Sequence, residues 1–132
     1  MLEKRIRCLL VEPHDLPKEI EIDNTLEAKQ KIVGGYIECA YLPNDEEVVI
    51  ICNEEGKING LKLNRDIGHD IIAGPFLIVG DDYENGDFKS LTDEQIMKYK
   101  IKFGKNSILQ TENKINSIIV NKALNKFDRE ER

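Results

Sequence analysis

Apolar and polar residues alternate over short stretches through most of this chain and recur at helical spacing in fewer places, which predicts a sheet with helices added to it. Arg5 to Glu12 is rich in β-forming residues and stops at Pro13, which cannot continue a ladder inside a sheet. After the turn His14-Asp15-Leu16-Pro17, the alternation Glu19-Ile20-Glu21-Ile22 puts both isoleucines on one face, so this segment is a half-buried strand paired with the first. Asn24 followed three residues later by Glu27 has capping-box spacing, and the pattern predicts a helix over 25–33 stopped by Gly34-Gly35. Tyr36–Leu42 and Glu47–Cys52 are then antiparallel partners across Pro43-Asn44-Asp45-Glu46. Asn53-Glu54-Glu55-Gly56 has the composition of a turn with Gly56 left-handed and Lys57-Ile58 starting the return strand.

Asp70 to Gly80 is the most apolar segment and is expected to be a core strand, with Gly74-Pro75 marking a bulge or an edge. Asp81–Asp87 forms an acidic loop that lacks the register of a calcium loop. Thr92 with Gln95, and Leu91 with Ile96, announce a second helix running to Gly104. Beyond it, Ile108-Leu109 and 115–124 are apolar enough for a strand or a short helix, and the charged end 128–132 is expected to fray. The fold class is therefore α+β, a mixed but mostly antiparallel sheet with two short helices packed on it. Residues 1–104 form the core domain and 105–132 an extension lying on that core or on a second subunit.

Composition narrows the function classes. A net charge of −6 over 132 residues disfavours duplex nucleic acid, whose binding needs a surface that neutralises phosphates. Cys8, Cys39 and Cys52 each fall in an expected strand without metal-ligand spacing, which suits free buried thiols in a reducing cytoplasm. The apolar runs are far shorter than the roughly 20 residues of a membrane span, and the N-terminus lacks a signal-peptide pattern. Of the two histidines, His69 beside Asp70 is the better candidate for acid-base chemistry, but sequence neighbours on a strand point to opposite faces. With no nucleotide loop, nucleophile elbow or zinc-protease helix, a non-enzymatic protein without a cofactor is the expectation. The polar stretch 53–60 between two apolar strands is both good turn chemistry and the best-placed candidate for ligand contact.

Thr25-Leu26-Glu27-Ala28, Lys31–Glu38, Cys52–Lys57, Asn59-Gly60-Leu61, Leu63-Asn64-Arg65, Asp70–Gly74 and Phe76–Gly80, in that order, resemble an uncharacterised small domain family spread through Firmicutes, their phages and mobile elements. The resemblance covers about residues 5–103. It implies no activity by itself, and its phage setting implies anti-defence work. One reading is a homo-oligomeric sponge that sequesters a nucleotide-derived immune signal, of cyclic nucleotide or cyclic ADP-ribose type. Lys57 and Arg65 would face phosphate, Asn53, Asn59 and Asn64 would bond base or ribose edges, and Tyr36 or Phe76 would stack on a base. The alternative is an acidic interaction protein that inhibits a host defence or DNA-processing enzyme by direct contact. Convergence of Lys57 and Arg65 into one hollow favours the first; dispersal favours the second.

Overall fold

Val48–Cys52 and Phe76–Val79 carry apolar side chains at every position, and a strand of that kind needs cover on both faces. The computed structural model, which describes residues 3–130, supplies it. The strands are β1 (Arg5–Val11), β2 (Lys18–Asp23), β3 (Ile37–Leu42), β4 (Asp45–Asn53), β5 (Leu63–Asp66), β6 (Ile71–Ala73), β7 (Phe76–Asp82) and β8 (Asp87–Lys89). The helices are α1 (Leu26–Val33), α2 (Asp93–Lys102) and α3 (Lys105–Glu130). The main sheet has the order β2-β1-β7-β4-β3 with β8 also on β7, while β5 and β6 make a separate pair. Every pairing among the described residues is antiparallel. This is the expected α+β class, with α1 and α2 as its two short helices.

Alternation along the central strands divides the core. Leu9, Val11, Val48, Ile50, Phe76 and Ile78 face α2 and the small sheet, where Ile96, Tyr99, Phe103, Ile67 and Ile72 complete one cluster. Ile6, Cys8, Val49, Ile51, Leu77 and Val79 face the other way and meet Val33 of α1. Each such side chain contributes about 1.5–3 kcal/mol by leaving water, so the two layers together hold β4 and β7 in place. Among the described residues no helix is long and apolar enough to cross a membrane.

Local signals set the helix ends, with one correction. Thr92 Oγ1 accepts from the Gln95 N–H (3.1 Å), and Gln95 Oε1 accepts from the Thr92 N–H (2.9 Å), as the spacing predicts. Gly34 closes α1 in the left-handed region (φ 80°), its N–H donating to the Gln30 carbonyl. The cap of α1, however, is Thr25, whose Oγ1 accepts from the Ala28 N–H at 3.1 Å. Asn24 is drawn into the sheet instead: its N–H donates to the Lys4 carbonyl, and its amide bridges the carbonyls of Glu3 and Phe88.

Four further expectations change. Asp70–Gly80 is not one strand: Gly74 (φ 82°) and Pro75 break it, so β6 joins the small sheet and β7 the main one. Lys57-Ile58 does not begin a return strand, because the turn continues to Gly60 (φ 72°), the left-handed glycine there in place of Gly56. Cys39 is exposed, since β3 is an edge strand, whereas burial pushes the thiols of Cys8 and Cys52 up to about 12 and about 11. The extension is a single 26-residue helix, α3, whose helical stretch includes 128–130; Glu131 and Arg132 lie outside the described residues, as do Met1 and Leu2.

Candidate functional site

The 53–60 loop is built from backbone satisfaction outward. Asn53, at the end of β4, is buried: its Nδ2 donates to the Val33 carbonyl at the end of α1 (3.0 Å), and its Oδ1 accepts from the Glu55 N–H (2.8 Å). That second bond folds the chain back on itself, the usual service of an Asn in a turn. Gly56 lies flat on β6, where a Cβ would stand 2.7 Å from the Ala73 carbonyl oxygen. The Glu54 N–H donates to the Tyr36 carbonyl, which brings exposed Tyr36 to the rim.

What results is a shallow hollow of about 240 Å³ whose charged lining is Glu38, Glu54, Glu55, Lys57 and Asp70. It is smaller than the roughly 300–1,000 Å³ of ligand pockets. Lys57, its one cation among the described residues, is ion-paired with Asp70. The Lys57 ammonium, with help from the Ile71 N–H, holds the Asp70 carboxyl below its usual range. Glu38, Glu54 and Glu55 are exposed, and Ile58 stands 84% exposed among them.

Arg65 is elsewhere. It is fully buried on β5, and its guanidinium donates to the carbonyls of Phe103 (3.1 Å) and Asp15 (2.5 Å) and to Asn64 Oδ1 (2.9 Å). Asn64 is buried as well, its Nδ2 donating to the carbonyls of Val11 (2.9 Å) and Gly74 (2.8 Å). Among the described residues Arg65 has no carboxylate within salt-bridge distance. Burial lowers its pKa, partly offset by the field of Asp15 and Glu112. The guanidinium caps the C-terminal end of α2 and ties it to the turn after β1, a structural task that occupies its donors.

Of the seven residues singled out from sequence, Asn53 and Lys57 share the hollow and Tyr36 stands at its rim. Asn59 is exposed on the same loop. Arg65, Asn64 and Phe76 do not join them: the first two are consumed by backbone carbonyls, and Phe76 is buried edge-on to Phe103, ring centroids 5.7 Å apart. A signal for Arg65 was present, since Leu63, Arg65 and Ile67 alternate and place the guanidinium on an apolar face. Asp70 as the mate of Lys57 carried no local signal. His69 is exposed, and His14 Nδ1 lies 2.8 Å from Glu112 Oε1 on α3. Among the described residues no group of His, Cys, Asp and Glu is arranged to hold a metal ion.

Compared with known proteins, residues 6–104 match a family described as a domain of unknown function, DUF3846. No curated protein and no solved structure matches the chain.

Proposed function

The chain belongs to the DUF3846 family, a domain of unknown function, and we propose that it is a non-enzymatic interaction protein, of phage anti-defence type, whose acidic 53–60 end occupies a basic face on a host defence or DNA-processing enzyme. The observation that carries this reading is the neutralisation of Lys57 by Asp70, which leaves Glu38, Glu54 and Glu55 uncompensated around exposed Ile58 and Tyr36. An apolar anchor ringed by charges of one sign is a common form of protein-binding surface: the anchor supplies affinity by desolvation, and the charges speed encounter with an oppositely charged partner. Enzymes that bind nucleic acid present the complementary basic face.

The test is affinity capture from host cells with the intact protein, Ile58→Asp, and the double variant Glu54→Lys/Glu55→Lys. All substituted sites are exposed, so melting temperature should stay within a degree or two by the usual behaviour of surface changes. A basic protein retained by the intact chain, lost with either variant and released by added salt is the expected result. Equal retention by all three would overturn the reading.

Capture of a nucleotide-derived signal keeps one supporting observation, that Asn53 and Lys57 line the same hollow. It requires Lys57 to exchange Asp70 for phosphate. Calorimetry with cyclic nucleotides and ADP-ribose derivatives should register no heat; heat that disappears in Lys57→Ala would replace the interaction reading with this one.

A further inference from the structure

α3 is about 39 Å long at 1.5 Å per residue, yet among the described residues its side-chain contacts with the rest of the fold come from its first half. Thr111 Oγ1 accepts from the Asp66 N–H (3.1 Å), Lys114 pairs with Asp66 (2.8 Å), and Glu112 meets His14. From Asn116 to Lys126 every residue is exposed, including Ile118, Ile119 (59%), Val120 and Leu124 (58%). At 100° per residue, Ile119, Val120, Ala123 and Leu124 form one stripe, with Lys122 and Lys126 along a single border and no acidic residue between 113 and 127. An isolated helical stretch shorter than about 12–15 residues is marginal in water, so the outer part of α3, from Asn116 on, calls for something to cover its stripe.

A complementary surface exists at the far end of β4 from the 53–60 loop. Tyr41 (51% exposed) on edge strand β3 and Tyr83 (63%) in the β7–β8 turn stand beside Asp81 and Glu46, and Tyr83 Oη donates to the Glu46 carbonyl at 2.5 Å. Partial desolvation and the Asp81 carboxylate hold both phenols above their ordinary range, with Glu46 adding to this at Tyr83. Aromatic bodies in an acidic field match aliphatic side chains bordered by lysines. The same asymmetry runs through the chain: 1–104 has 13 basic and 21 acidic residues, 105–132 has 6 and 4.

We propose that the outer half of α3 in one copy docks on the Tyr41–Tyr83 face of a second copy, and reciprocally, giving a two-fold dimer. Ile119, Val120 and Leu124 cover the tyrosine rings, while Lys122 and Lys126 meet Glu46 and Asp81. Reciprocity closes the assembly, since a one-way contact of helix on body would propagate into chains.

Sedimentation velocity on the full chain across the micromolar range tests this. The intact protein should dimerise, and salt should weaken the dimer. Lys122→Glu/Lys126→Glu on the helix and Tyr41→Ser/Tyr83→Ser on the body should each weaken it by about tenfold or more, with unchanged circular dichroism. Mixing the two double variants should restore a heterodimer, because one intact helix then meets one intact face. A chain that stays monomeric overturns the proposal. So does a dimer indifferent to the tyrosine substitutions, the signature of two α3 helices pairing with each other.

Discussion

Arg65 and Lys57 carry the same charge to different ends. Lys57 sits on an exposed turn and keeps its ammonium partly in water, so its pair with Asp70 is worth no more than about 1 kcal/mol. Arg65 has lost its water altogether and is held by neutral oxygens of Phe103, Asp15 and Asn64. Removing it would leave the buried oxygens of Phe103 and Asn64 without this donor, at roughly 1–3 kcal/mol each, and would cut the part-buried tie to Asp15. Arg65→Ala is therefore expected to cost about 3–5 kcal/mol in urea unfolding, and Arg65→Lys to recover only part, because an ammonium lacks the planar fork. A loss under 1 kcal/mol for Arg65→Ala would show that the carbonyl cluster does not depend on the guanidinium.

Among elements, α2 and α3 follow each other directly but are stabilised differently. α2 has its capping box and two large residues, Ile96 and Tyr99, in the core, with its C-cap Phe103 beside them. α3 is fastened by a few polar contacts to β5 and to the turn at His14, with Thr111 its one buried polar side chain among the described residues. Thr111 Oγ1 also donates to the Ser107 carbonyl, so it serves the helix and the tether together. Thr111→Val keeps the shape and removes both bonds. Amide exchange in 105–115 is expected to speed up well beyond any change in β4 or β7, as measured by hydrogen-exchange mass spectrometry. Uniform acceleration over the whole chain would mean that α3 and the sheet unfold as one unit.

At the level of the whole molecule, both apolar clusters come from residues 6–103, and the family match ends at 104. Residues 1–104 alone should therefore unfold cooperatively, less stable than the full chain by about 1–3 kcal/mol; a truncated chain without a cooperative transition would make α3 part of the core. Acid sensitivity is also a property of the whole. The carboxyls of Asp66 and Asp70 are held low by Lys114 and Lys57 respectively; burial pushes Asp45 up, but hydrogen bonds from Tyr99, the Glu47 N–H and Lys98 outweigh it and leave it lowered. A carboxylate with a folded pKa below its unfolded value of about 3.9 stabilises the fold fully above that pH and ceases to as pH falls through the folded value. The urea midpoint should thus decline below about pH 4, and less steeply in Asp45→Asn/Asp66→Asn. An identical slope in that variant would remove these pairs as the cause.

Alternation and caps are short-range properties, and they were legible. Residues two apart share a strand face and residues three apart share a helix turn, so the sequence alone determined β1 to β4, the two short helices and the α+β class. It did not reveal that Gly74-Pro75 sends one apolar run into two sheets, or that the extension is a single long helix, because those outcomes depend on which neighbours are available. The candidate site was legible only in outline. Whether a cation is free to bind turns on partners far along the chain: Asp70 lies 13 residues from Lys57, and Phe103 lies 38 from Arg65. Only the tertiary structure could bring those atoms together, and in doing so it made one cation a buried brace and left the other at the edge of an acidic hollow.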